Sequence, residues 1–564
     1  MINTNPSHCN TDAAAQDPEL LCAKCHASLS VSPDLNTLDW TSFRSRVHAL
    51  SMSNECPIDR ELDSMRVCLD SAKSKVHSIQ EQLRLLDQQR VALEKEMVEL
   101  SAYITDQDTV LNSIRRLPSE ILIRIFRGCV EDGISSKDWD NPLSMKSVRW
   151  VIGYVCKRWR GISLDTPELW SDIQIFLDDP TTSRSFIPQS LLLGLHLQRS
   201  KQLPLTIGLF STSYAADLKP NHPLLNTLIP TADRWVRLNV AMSPRLIQRC
   251  LFQIKPFLSK SLTLFSTSFT REWDVDDSVC DVLEDAIMLR EVVLRYDITS
   301  MGIRWENLYS LTLFFDSSSL DDVLSTLNRM ENLQKLQITY STLSVVTSEW
   351  EGIEFTPVTL PALDTLRLER LVRLRGSEPI VLENDSTIYQ LLNTLVLPSL
   401  QIFTENSEPH TFNLQIILSL LQRSNCPSLT YFATSATIFE EQFLSFVREY
   451  PGLRILELRG ISTLTNRAMK LLTFRLQQPI IDGPCTLPYL KRLTLEGKMS
   501  FDAPLFVGMV ESRIVAHRSG HDVCRIHEVK LQWTEDMLPD GIDAFVRFSQ
   551  DGLFKGLDFD VLFS

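Results

Sequence analysis

The chain has 564 residues, with 70 acidic and 56 basic side chains, a formal charge of −14 and a pI near 5.3. That length implies several units or one long array, and a composition of 44% apolar and 22% charged residues is ordinary for globular protein. With 85 leucines against 18 glycines, glycine-rich phosphate-binding loops are disfavoured; the acid excess offers no general attraction for nucleic acid or anionic membrane, and no stretch reaches the roughly 18–20 apolar residues of a membrane span.

Residues 1–57 read as a loosely ordered, polar tail. No basic segment followed by an apolar run opens the chain, so no secretory signal is expected. The twelve cysteines should then stay reduced, in the cytosol or the nucleus. Cys129, Cys156 and Cys250 lie inside apolar patterns and read as small core hydrophobes. Cys22-Ala-Lys-Cys25-His26 has the form of a c-type haem attachment site, but covalent attachment requires export. A zinc tetrahedron could draw on Cys22 and Cys25 with His8, Cys9 or His26, yet a second pair at zinc-finger spacing is missing. The expectation is no haem, no metal and no cofactor.

Residues 58–116 predict one long coiled-coil helix. Leu62, Leu69, Val76, Leu83, Arg90, Met97, Ile104 and Leu111 form one row of a heptad seam. Met65, Ala72, Ile79, Leu86, Leu93, Leu100, Gln107 and Ile114 form the other. Only Arg90 and Gln107 are polar, and neither proline nor glycine interrupts the run. At 1.5 Å per residue the rod is about 80 Å long. Pairing of two such helices would make the protein a homodimer; the alternative is a seam that packs on the chain's own remainder.

After the helix comes Arg116-Leu117-Pro118-Ser119-Glu120-Ile121-Leu122-Ile123-Arg124-Ile125-Phe126. Pro118 suits a first helical turn, and Leu117, Ile121, Leu122, Ile125 and Phe126 form an apolar stripe. A polar stretch follows, and 128–147 reads as an inserted loop. From Trp150, Val155, Cys156, Trp159 and Ile162 recur at helical spacing until Thr166-Pro167, and Leu169-Trp170 close the segment. The LPSEIL opening, the VCKRWR second half and the PELW close together resemble an F-box. With the CxxC tail and the heptad helix, the whole chain is similar to fungal F-box-like proteins. For 117–170 the resemblance implies a small all-α domain that docks an SKP-type adaptor of a cullin-RING ubiquitin ligase. Its contact residues would be Leu117, Pro118, Ile121, Leu122, Ile125 and Phe126, supported by Val155, Cys156, Trp159 and Trp170.

Residues 171–564 carry a period. A pattern of the form L-x-x-L-x-L recurs with central residues Ile173, Leu205, Leu238, Leu262, Val292, Leu311, Leu336, Leu366, Leu395, Phe432, Leu456, Leu493 and Val529, a mean step near 30. Amphipathic stretches such as 319–329 and 440–448 suit one helix per unit. Strand–helix units of this size predict an irregular leucine-rich-repeat horseshoe, so the fold class is α/β. The x residues Arg290, Glu291, Gln334, Lys335, Arg367, Arg454, Glu457, Lys491 and Arg492 are expected to line a concave face that binds a protein substrate.

No nucleophile elbow, zinc-protease helix, dinucleotide loop or phosphate loop is present in the sequence. Asp274-Val275-Asp276-Asp277 reads as a solvated helix start, and His517, His521 and His527 read as surface or core histidines. No catalytic residue is expected. The resemblance implies a substrate-recognition subunit of an SCF-type ligase; the alternative is a non-ligase interaction scaffold dimerised by its coiled coil.

Overall fold

A computed structural model describes residues 40–53, 55–135, 143–177, 186–211, 222–267, 279–295, 297–315, 319–341, 356–371, 387–407, 412–475, 486–533 and 557–563. The chain divides into two compact units, 1–117 and 118–564. The Cys22/Cys25/His26 group, with His8 and Cys9, and the Asp274–Asp277 run lie outside the described residues.

In the first unit, Trp40–Ser53 and Asp59–Leu111 are helices. The second runs unbroken for 53 residues and buries none of them. The Glu61 carboxylate accepts from the Ile58 amide (3.3 Å) and covers an amide of its first turn. Along the shaft Arg84 pairs with Glu81 (2.5 Å), and Arg90 pairs with both Asp87 (3.5 Å) and Glu94 (3.2 Å). Exposed pairs at this spacing are screened by solvent and add little to the helix. The helix stops at Leu111, short of the expected seam. Asn112 leaves the helical region and its side chain accepts from the Ile114 amide (3.0 Å), so Ile114 lies in a 3-10 turn, Ser113–Arg116.

In the second unit, fourteen strands among the described residues form one parallel sheet. In chain order they are Asp172–Phe176, Leu205–Phe210, Trp235–Ala241, Leu264–Thr267, Glu291–Leu294, Ser310–Phe315, Lys335–Ser341, Thr365–Leu371, Ile402–Asn406, Tyr431–Thr434, Ile455–Leu464, Arg492–Met499, Glu528–Trp533 and Asp558–Phe563. Each pairs only with the sheet strands before and after it in the sequence. One residue per strand forms a continuous row across the sheet: Ile173, Ile207, Leu238, Phe265, Val292, Leu311, Leu336, Leu366, Phe403, Phe432, Leu456, Leu493, Val529 and Phe559. All but Phe559 are fully buried, and they form the spine of the core.

Three expected centres therefore move. Leu205 lies in its strand but two residues before Ile207, and Leu262 precedes the strand that carries Phe265. Leu395 belongs to a separate two-stranded sheet with Val358–Thr359, and Phe403 takes its place in the row. Helices occur between strands, as expected: Leu320–Leu327 and Glu440–Glu449 present Leu320, Val323 and Leu327, and Phe443, Leu444 and Val447, to the core. Ser319 and Thr465 cap helices by accepting from the amides of Asp322 (3.2 Å) and Arg467 (3.2 Å).

Between Ile455–Leu464 and Arg492–Met499 the register shifts at Ile461. Two glycines allow the close approach there. A Cβ on Gly460 would collide with the carbonyl oxygens of Ser435 and Ala436. Gly497 has φ +134°, and a Cβ there would strike the Ile461 backbone.

Candidate functional site

Residues 118–170 fold as three short helices, Ser119–Ser135, Val148–Val155 and Lys157–Asp165, followed by the 3-10 turn Pro167–Trp170. The Pro118 carbonyl accepts from the Leu122 amide (3.2 Å) and opens the first helix. That helix runs on to Ser135, so the first part of the expected inserted loop is helical; 136–142 lies outside the described residues. The second half is not one helix. Cys156 is extended (φ −160°, ψ 169°), ends Val148–Val155 and caps Lys157–Asp165, its sulfur accepting from the Trp159 amide (3.4 Å). Cys129 and Cys156 are exposed, which corrects their reading as core hydrophobes: an outward helix face and a helix break put them in solvent. Cys250 is half-buried and packs against the core, as expected.

The apolar stripe divides in two. Leu122 and Phe126 are 0% and 1% exposed, with the Phe126 ring 4.9 Å from that of Trp159. They belong to this segment's own core, which corrects their assignment to a docking surface. Ile121 and Ile125 are 38% and 39% exposed on the other flank of the helix, and Pro118 is also exposed. Leu117 and Trp159 are half-buried. Val151, Tyr154, Val155 and Leu164 on the following helices are exposed too.

Trp170 closes the segment against the first strand, and its burial corrects its place among the docking contacts. It is 1% exposed, its indole N–H donates to the Ser163 carbonyl (2.8 Å), and its ring stands edge-on to Trp150 (5.3 Å) and His196 (5.0 Å). The Arg199 guanidinium lies over Trp150 (4.3 Å) and Trp170 (4.4 Å). Arg149 is buried and donates to the Leu169 carbonyl (2.8 Å). Burial raises the Asp172 pKa, and the Arg149 charge opposes that rise. His196 is fully buried; burial, then the charges of Arg149 and Arg199, lower its pKa to about 3. Trp150 and Trp170 are legible in the sequence and these charged partners are not, because a buried charge leaves no mark on an apolar period.

The expected substrate-facing residues do not share one face. Glu291, Lys335, Arg367, Glu457 and Arg492 alternate with the buried row, on the sheet's opposite face. Arg290, Gln334, Arg454 and Lys491 each sit one residue before a strand, out of step with that face. Two consecutive residues of a pleated strand point oppositely, so the L-x-x-L pair cannot place both outward on one side. Arg290 instead donates to the carbonyls of Ile287 (3.0 Å) and Asn307 (3.3 Å).

Across the last third of the sheet the outward residues join into a polar network. Tyr431 donates to Glu457 (3.2 Å), which also pairs with Arg459 (3.3 Å). Arg492 lies 3.9 Å from Glu457 and 2.6 Å from Glu528, and Lys530 pairs with Glu528 at 2.9 Å. Lys530 and Arg492 hold the Glu528 carboxyl below its usual range. Glu405, on the inner side, is buried and accepts from the Thr434 hydroxyl (2.8 Å) and the Ser435 amide (2.8 Å).

His517 Nδ1 donates to the Val523 carbonyl (2.9 Å), and the His521 ring lies 5.3 Å from that of Phe474. That aromatic pair lines an open hollow of about 350 Å³ with Glu511, Ser512 and Ser519. Among the described residues no group of three or more histidines, cysteines and carboxylates could hold a metal ion, and no helix is long and apolar enough to cross a membrane. No family model matches the chain, and no curated protein matches it.

Proposed function

We propose that the chain is a substrate-recognition subunit of an SCF-type cullin-RING ubiquitin ligase, acting in the cytosol or nucleus. Residues 117–170 are read as an F-box that docks an SKP-type adaptor. Residues 171–564 are read as an irregular leucine-rich-repeat horseshoe that holds a protein substrate on its outward strand face. The protein then supplies proximity and orientation and performs no bond-making step of its own.

The observation that carries this reading is the divided stripe. Leu122 and Phe126 are buried beneath it, while Ile121, Ile125, Val151, Tyr154, Val155 and Leu164 leave apolar area uncovered on adjacent short helices. Apolar side chains left uncovered on neighbouring helices are what a protein partner would cover. The fourteen parallel strands, each beside its sequence neighbours, support the repeat reading. A mixed-charge outward face that includes Arg367, Arg492, Glu528 and Lys530 supports a protein as the ligand.

The test is co-purification of the SKP-type adaptor and cullin with the full chain. Ile121→Ala should weaken adaptor binding by roughly thirtyfold, as for a centrally buried apolar contact worth about 2 kcal/mol. The same change should leave thermal unfolding nearly unaltered, whereas Trp170→Ala should lower it clearly. Equal destabilisation by both variants, with no adaptor in the wild-type eluate, would favour the non-ligase scaffold.

A further inference from the structure

We propose that Asp59–Leu111 pairs with the same helix of a second copy of this chain, parallel and in register, with Arg90 as its central layer. The inference does not depend on the ligase reading. Leu69, Val76, Leu83, Met97, Ile104 and Leu111 in one row, and Ile79, Leu86, Leu93 and Leu100 in the other, are all exposed. Leu62, Met65 and Ala72, nearer the amino end, are half-buried. Ala72 apart, the uncovered seam runs from Leu69 to Leu111, and Arg90 is its midpoint. Two narrow apolar rows at a seven-residue repeat suit a two-stranded supercoil.

The polar positions identify the occupant and its direction. In a parallel, in-register pair Arg90 meets Arg90 and Gln107 meets Gln107, so each polar layer faces its like. In a full-length antiparallel pair Arg90 would face Leu86 and Gln107 would face Leu69, leaving both polar groups against leucine. Sliding the antiparallel pair until Arg90 faces Gln107 shortens the helical overlap to 86–111 and brings Asp87 toward Asp108 of the other copy.

The flanks agree with the parallel choice. Residues that border the seam five apart across such a pair are Lys75 with Gln80, Gln82 with Asp87, Gln89 with Glu94, Glu96 with Ser101, and Tyr103 with Asp108. None of these juxtaposes like charges. Arg90 is held on its own helix by Asp87 (3.5 Å) and Glu94 (3.2 Å), so its layer brings together two locally neutralised groups. Such a layer weakens the pair while fixing its register.

The full-length protein tests this. Sedimentation at micromolar concentration should show a dimer, and Leu86→Asp/Leu93→Asp should make it a monomer with an unchanged unfolding profile for residues 118–564. Arg90→Leu should tighten the dimer, by roughly tenfold. Direction is read by mixing wild type with a mass-tagged Arg90→Glu chain and weighing the dimers by native mass spectrometry. A parallel, in-register pair sets Arg90 of one chain against the introduced carboxylate of the other, so heterodimers should exceed the statistical half. A monomeric wild type would overturn the second copy as occupant. A dimer without heterodimer excess would overturn the parallel register.

Discussion

Acidification should loosen the junction between the short helices and the first strand, and His196→Phe should remove much of that effect. His196 lies edge-on to Trp170 and 6.0 Å from Trp150, with both ring nitrogens buried. Its pKa is about 3 in the fold, against the usual value near 6.5. A folded pKa below the unfolded one means that the unfolded chain binds the proton more tightly. Stability contributed by the neutral ring is therefore full above about pH 6.5 and drains away as pH falls toward 3. Between pH 7 and pH 5 the loss from this single group is about 2 kcal/mol. Neither ring nitrogen has a hydrogen-bond partner among the described residues, so an apolar ring of similar shape sacrifices no such bond. Tryptophan fluorescence during urea unfolding, at pH 7, 6 and 5, would follow the junction through Trp150 and Trp170. The wild type should lose about 2 kcal/mol more than His196→Phe over that range. A stability difference between the two proteins that stays constant with pH would refute the reasoning.

Two further positions probe the array itself. Gly460→Ala should cost at least about 2 kcal/mol in denaturant unfolding, because its Cβ meets backbone oxygens that cannot rotate away; an unchanged midpoint would show that the strands can part there. Arg513 is fully buried and donates to the carbonyls of Leu472 (2.9 Å), Thr486 (2.5 Å) and Leu487 (2.8 Å). Arg513→Leu should destabilise by about 3 kcal/mol, and Arg513→Lys should recover little, since one ammonium cannot span three divergent acceptors.

Where leucine or isoleucine occupies every key position, the strands are legible in the sequence. Leu308-x-x-Leu311-x-Leu313 and Leu363-x-x-Leu366-x-Leu368 fall on the buried row as read. Two of the three misses have a common cause. Leu262-x-x-Phe265-x-Thr267 and Leu400-x-x-Phe403-x-Glu405 keep the spacing but substitute an aromatic and then a polar residue. Those polar residues are satisfied locally: Thr267 accepts from the Arg295 amide (2.7 Å), and Glu405 takes the Thr434 and Ser435 bonds. A leucine search passes over them and settles on Leu262 or Leu395 nearby. Leu205 shows a second limit, since a period of two preserves the face but cannot detect a shift of two residues. In 118–170 the stripe at Ile121, Leu122, Ile125 and Phe126 was visible, but spacing alone could not tell its buried flank from its exposed one. Burial of Phe126 depends on Trp159, which returns from the far side of the intervening stretch.

A sheet in which every strand touches only its sequence neighbours has a consequence for how damage spreads. Leu336 and Leu366, adjacent in the buried row, are 30 residues apart, and among the described residues no pairing joins distant parts of the sheet. Folding then needs few long loop closures, and coupling between strands must pass through each intermediate strand in turn. A lesion at Gly460 should be felt strongly from Phe432 to Leu493 and faintly at Ile173. Denaturation should consequently peel the array from its weaker end, so that probes at Trp170 and Trp533 report different midpoints instead of one shared transition.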